Sequence, residues 1–245
     1  MIKINLSVDS LYYQFPVRVD IAMPYPIFAD RKVKNIWALH CAMKDGSYFF
    51  DNLSIGQYAD LQKVNIIAPS LNYFSAKDPD IVHDFLENEL WPFITSLFGL
   101  SLAREDNCLL GISMGAFESL KWCDRQPEKF SEAALISGVY DFSLCDQKKI
   151  KNNRSLNMLY KLILPNARHI GLLDGDKSIM ESLSSDIKTR FSVYCGDTDY
   201  LCLDNNLSIM DRFNELGISS QFEQIPGYHD QAVWSVAISR FLTGI

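Results

Sequence analysis

The chain has 245 residues, with 23 Lys and Arg against 30 Asp and Glu and a formal net charge of −7. That length suits one large α/β domain, residues 1–245, better than two small ones. The acidic balance excludes a counterion-releasing grip on nucleic acid, and the densest basic run, Lys148, Lys149 and Lys151, reads as a solvated loop.

In chain order, Lys3–Val8 and Val17–Met23 alternate polar and apolar residues like an antiparallel strand pair. The opening MIKINLSVDS lacks an apolar core of signal-peptide length. No stretch reaches the roughly 20 apolar residues that span a bilayer. A cytoplasmic location without membrane association is therefore expected. Asn35–His40 (NIWALH) and Val64–Pro69 (VNIIAP) are short apolar runs of the kind buried on both faces of a parallel sheet.

A helix is expected over 80–98, capped by Asp78 and opened by Pro79, with Val82, Phe85, Leu86, Leu90, Ile94 and Leu97 on its apolar face. Pro92 should kink it. Asn107–Ile112 reads as a strand, Met114–Cys123 as a helix and Ala133–Ser137 as a strand. Residues 140–188 are the least regular part, and 142–188 reads as a variable insertion that lines a pocket. Arg190–Cys195 is a strand. Asp204–Leu216 is a helix with Leu207, Met210, Phe213 and Leu216 inward, stopped by Gly217. Gln221–Ile225 and Gln231–Leu242 are the last strand and helix. Strands alternating with helices imply a mostly parallel sheet, antiparallel at its N-terminal strands, with helices on both faces.

Six cysteines, Cys41, Cys108, Cys123, Cys145, Cys195 and Cys202, form no CxxC pair, and the four histidines lack zinc-ligand spacing. Several of these cysteines lie in apolar strands, as buried reduced thiols do. No metal and no cofactor is expected.

The chemistry concentrates in Gly111-Ile-Ser-Met-Gly115, between an apolar strand and a helix. A serine hydroxyl needs a base to take its proton, a carboxylate to orient that base, and two N–H donors for the developing oxyanion. The glycines let Ser113 occupy a tight strand-to-helix turn, with the helix N-terminus favouring an anion beside it. Among His40, His83, His169 and His229, only His229 lies in the loop after the last strand. Two carboxylates, Asp197 and Asp199, follow the preceding strand, and composition does not choose between them. The Met114 N–H is one oxyanion donor. The other belongs to the loop after the strand ending at His40, at Cys41 or Ala42.

These residues resemble the esterase D branch of the α/β-hydrolases, of the small tributyrin-esterase type. The resemblance rests on Gly-Ile-Ser-Met-Gly at 111–115, Cys195-Gly-Asp-Thr-Asp-Tyr-Leu201 and Pro226-Gly-Tyr-His-Asp followed by Trp234. Asp84-Phe-Leu with Glu89-Leu90 and Ser137-Gly-Val-Tyr-Asp141 also match. It implies an α/β-hydrolase fold with Ser113, Asp199 and His229 as nucleophile, acid and base. Met114 and Ala42 would be the oxyanion donors, and His40, Cys41, Tyr228 and Trp234 pocket residues. The implied reaction is ester hydrolysis through an acyl enzyme, and with no large lid recognisable in the sequence a small short-chain acyl ester is expected. Acyl transfer, a thioesterase of the S-formylglutathione hydrolase kind and a non-catalytic binding protein are the alternatives. A homo-oligomer is implied too. Three positions depart from the pattern: the family's His-Gly is His40-Cys41, the second glycine of Met-Gly-Gly is Ala116, and the first tryptophan after the histidine is Gln231.

Overall fold

The computed structural model describes residues 1–25, 33–73, 80–152 and 178–245, together with 154, 157, 158 and 161. Eight strands form one sheet: β1 (Ile2–Asp9), β2 (Pro16–Met23), β3 (Asn35–Leu39), β4 (Asn65–Pro69), β5 (Asn107–Ile112), β6 (Glu132–Ile136), β7 (Arg190–Gly196) and β8 (Ser220–Ile225). Their spatial order is β1-β2-β4-β3-β5-β6-β7-β8. β2 runs antiparallel to both β1 and β4, and every other neighbouring pair is parallel. The fully apolar runs are the central strands, and every residue of β3, β4 and β5 is buried. β1 at the edge keeps the half-exposed alternation that its sequence shows.

The helices are α1 (Ser47–Asp51), α2 (Gln57–Leu61), α3 (Ile81–Asp84), α4 (Trp91–Phe98), α5 (Met114–Arg125), α6 (Gln147–Asn152), α7 (Ile179–Ser182), α8 (Leu203–Leu216) and α9 (Gln231–Gly244). Alternation along the central strands divides the core into two layers. Trp37, Leu39 and Leu109 face α3, α4, α5 and α8, whereas Ile36, Ala38 and Leu110 face α1, α2 and α9.

Several expectations are corrected. Between α3 and α4 the chain takes a π-helical turn, Phe85–Leu90, with helical dihedrals at both junctions. Pro92 explains it: its ring crowds the carbonyl four residues back and offers no N–H, so the turn before it widens. The expected caps Asp78 and Pro79 lie outside the described residues. Leu97 and Leu207 are 52% and 40% exposed instead of inward. The buried face of α8 comprises Asn205, Asn206, Ile209 and Phe213. The two asparagines turn inward because each satisfies a loop: Asn205 Oδ1 accepts from the N–H groups of Tyr140 and Asp141, and Asn206 Nδ2 donates to Gly138 O. Of 142–188, the described part holds a 3₁₀ turn (Phe142–Leu144), α6 and α7. Residues 153, 155, 156, 159, 160 and 162–177 of that segment lie outside the described residues. Among the described residues no helix is long and apolar enough to cross a membrane.

Candidate active site

Parallel strands deliver their C-terminal ends to one edge, and the loops there carry the chemistry. Ser113 directly follows β5 and precedes α5, with φ 54° and ψ −112°. A non-glycine residue with such dihedrals is strained and persists only where its surroundings hold it. The Ser113 N–H donates to Ile136 O at 2.8 Å, and its carbonyl accepts from Ala116 and Phe117 at 3.0 and 3.2 Å. Gly111 and Gly115 have no room for a side chain. A Cβ on Gly111 would lie 2.2 Å from Gly115 O, and one on Gly115 would lie 2.0 Å from Leu39 O and 2.7 Å from His40 O. The start of α5 is thus pressed against the end of β3. That contact sets the loop carrying Cys41 and Ala42 beside Met114.

Asp199 and His229 are joined. His229 Nδ1 lies 2.8 Å from Asp199 Oδ2, with both side chains almost wholly buried. The other oxygen, Oδ1, accepts from the N–H groups of Leu201 and Cys202 at 3.2 and 3.1 Å. Burial alone would raise the Asp199 pKa. The adjacent His229, with the hydrogen bonds from its ring and from the Cys202 N–H, outweighs burial and holds it below the ordinary carboxylate value. The carboxylate is therefore ionised at neutral pH, which favours the Nδ1–H tautomer and leaves Nε2 as the acceptor.

Asp197 and Asp199 are bonded to different groups. Asp197 accepts the Gly227 N–H at 3.0 Å, and Thr198 donates from both N–H and hydroxyl to Gly227 O. Asp197 and Thr198 therefore anchor the loop that carries His229. That loop crosses back over β7: a Cβ on Gly196 would lie 2.5 Å from Gly227 O and 2.8 Å from Tyr228 O. The crossing carries His229 from the β8 edge towards β5. Among the described residues no hydrogen bond joins Ser113 to His229. Such bonds commonly tighten only when substrate is present.

Two backbone N–H groups near the turn are unbonded. Met114 and Ala42 are buried, and among the described residues nothing accepts a hydrogen bond from either N–H. The Met114 N–H is one of the donors that a helix N-terminus leaves without an intrahelical partner.

The pocket residues implied by resemblance take different parts. His40 is buried, with Nδ1 2.8 Å from Cys41 O and Nε2 accepting the Leu71 N–H at 2.8 Å. Burial lowers its pKa to about 4, so the ring is neutral. The Cys41 thiol packs in the core layer under α1 and α9, and burial pushes it up to about 12. Trp234 is buried and meets the His229 ring edge-on at 5.2 Å. Tyr228 is 59% exposed at the rim, edge-on to Tyr200.

Sequence reasoning did not find Cys202, whose Sγ lies 3.4 Å from His229 Nδ1, nor Tyr73, whose hydroxyl donates to His40 O at 2.7 Å. Asp199, Cys202 and His229 present potential ligand atoms within 4.8 Å of one another. Burial and the Asp199 charge push the Cys202 thiol well above its ordinary pKa, which runs against a thiolate ligand, and the three groups already bond to each other.

Comparison with known proteins agrees with this architecture. No curated protein sequence matches the chain. Among solved structures, S-formylglutathione hydrolase from Staphylococcus aureus superposes with a TM-score of 0.73 at 24% identity, covering 99% of this chain and 98% of that one. The fluorophosphonate-binding serine hydrolase F of Staphylococcus aureus gives 0.73 at 25% identity, covering 99% and 97%. A ferulic acid esterase gives 0.74 at 18% identity, covering 98% and 96%. The open, mixed eight-stranded sheet is thus that of the α/β-hydrolase fold. The Esterase family, described as "Putative esterase", matches residues 75–244. With more than half of its length matched, the chain belongs to the Esterase family of α/β-hydrolases.

Proposed function

We propose that the protein is a serine carboxylic ester hydrolase acting on small short-chain acyl esters through an acyl enzyme. Ser113 attacks the ester carbonyl while His229 Nε2 takes its proton, and the N–H groups of Met114 and Ala42 receive the oxyanion. The imidazolium then protonates the leaving alcohol. Water, deprotonated by the same ring, releases the acid, and Asp199 steadies the ring through Nδ1 in both halves. The observation that carries this reading is Ser113 held at φ 54° between β5 and α5, a costly backbone state that sets a serine at a helix N-terminus.

The test is covalent labelling with a fluorophosphonate, followed by turnover of a p-nitrophenyl ester series. Labelling confined to Ser113 and lost in Ser113→Ala is the expected result, with acetyl and butyryl esters turned over faster than long-chain ones. Native protein that neither labels nor hydrolyses any ester would refute the reading. S-formylglutathione belongs in the same panel, because two of the similar structures carry that hydrolase's name. A thioester would pass through the same acyl enzyme with a thiol as leaving group.

A further inference from the structure

An oxyanion hole made of backbone donors works only if the peptide planes are held, and the second donor here lies in a loop, not on a helix. We propose that Tyr73 and His40 form an uncharged clamp that fixes the Cys41–Ala42 peptide with its N–H towards the site, which makes Tyr73 a positioning residue for catalysis. This inference rests on the serine hydrolase reading above.

The bonds define the clamp. The Tyr73 hydroxyl donates to His40 O at 2.7 Å, which fixes the peptide before Cys41. The Leu71 N–H donates to His40 Nε2 at 2.8 Å, so that nitrogen carries no proton and Nδ1 does. Nδ1–H then donates to Cys41 O at 2.8 Å, and the same carbonyl accepts the Lys44 N–H at 3.3 Å. In a trans peptide the C=O and the following N–H point in opposite directions. Two donors drawing Cys41 O into the protein therefore turn the Ala42 N–H the other way, towards the start of α5. Leu71 and Tyr73 lie beyond β4 and His40 beyond β3, so the clamp stitches two neighbouring strand ends together. Met43 follows with φ 65°, which lets the chain turn away at once after Ala42. All the members are buried: His40 and Tyr73 are 1% and 2% exposed, and their rings are 5.0 Å apart.

Neutrality is part of the design. A second proton on His40 would set an N–H against the Leu71 N–H, and the arrangement would have to open. The Tyr73 phenol is kept far from ionisation by burial, so it remains a donor.

Tyr73→Phe tests the proposal with a p-nitrophenyl ester and a fluorophosphonate. Removing one oxyanion donor outright costs roughly 10²–10³ in kcat, and loosening one costs less. The expected result is a fall in kcat of about tenfold with KM nearly unchanged, and an equal slowing of Ser113 labelling. A folded Tyr73→Phe protein with native kcat, or with the whole loss in KM, would overturn the clamp. If Tyr73→Phe does not fold, His40→Gln and His40→Leu replace it. Gln can offer both a donor and an acceptor and retains more kcat than Leu, and equal activity of the two overturns the clamp. Absence of labelling in the native protein is a separate outcome: it defeats the serine hydrolase reading itself.

Discussion

Replacing Ser113 by glycine and by alanine separates the strain at the turn from its chemistry. Both substitutions remove the hydroxyl that the proposed mechanism uses, so both proteins should be inactive and stability alone is compared. Alanine keeps the Cβ and with it the unfavourable φ of 54° and ψ of −112°. A backbone state of this kind costs on the order of 1–3 kcal/mol. Glycine releases that cost but loses about 0.5–1 kcal/mol through the greater freedom of its unfolded chain. The Gly variant is therefore more stable than the Ala variant by up to about 2.5 kcal/mol, the reverse of the usual order of these residues. For a chain of this size, 1 kcal/mol moves the melting midpoint by about 2–4 °C. Reversible urea unfolding measures the difference directly, and equal m-values would show that the unfolded states are comparable. A Gly variant no more stable than the Ala variant would refute the idea that the surroundings force the serine into this state.

Other consequences can be checked in the same way. The folded pKa of His40 is about 4, against about 6.5 in the unfolded chain, so the unfolded state binds the proton first as pH falls. Its contribution is complete above pH 6.5 and is lost as pH drops towards 4, about 3 kcal/mol in all, and His40→Gln should flatten that slope in acid unfolding curves. Gly115→Ala should lower the melting midpoint and cut kcat together, because its Cβ would lie 2.0 Å from Leu39 O and push the oxyanion loop away. Asp199→Asn should lower kcat/KM by about 10³–10⁴ at neutral pH, whereas Asp197→Asn should change it little, since an amide oxygen can still accept the Gly227 N–H. Steady-state kinetics on both variants decides, and a larger loss at Asp197 would reverse their assigned roles.

The parts of the fold that were legible are those where one physical signal acts alone. Continuous apolar runs announced β3, β4 and β5, because strands buried on both faces need them. The turn at Ser113 was legible because two glycines at fixed spacing have few other uses, and both meet backbone in the structure. α1 and α2 escaped notice since five residues give less than two turns in which a period could show. Leu207 misled because α8 turns Asn205 and Asn206 inward to serve the loop at 138–141, a tertiary demand that overrides hydrophobic spacing. Tyr73 was illegible for a related reason. Its partner is a backbone carbonyl, which leaves no mark on the identity of any other residue.

The departures from the family pattern bear on how much the oxyanion loop depends on glycine. A side chain at position 41 would matter if the backbone there required the left-handed region, or if the thiol pointed at substrate. Neither holds. Positive φ falls on Met43, not on Cys41, and the thiol lies in the core layer beneath α1 and α9. Ala116 is wholly buried on the opposite core layer, where a methyl fills space under α5. Gln231, in place of an aromatic ring, donates to Asn52 O at 2.5 Å and ties the start of α9 to the end of α1. Each changed side chain is thus spent on packing or bonding around the loops, while the proposed oxyanion donors are backbone N–H groups that a substitution does not remove. Loop position, held by His40 and Tyr73 on one side and by Gly115 on the other, is what the chemistry requires, and a glycine at 41 is one way of meeting that requirement among several.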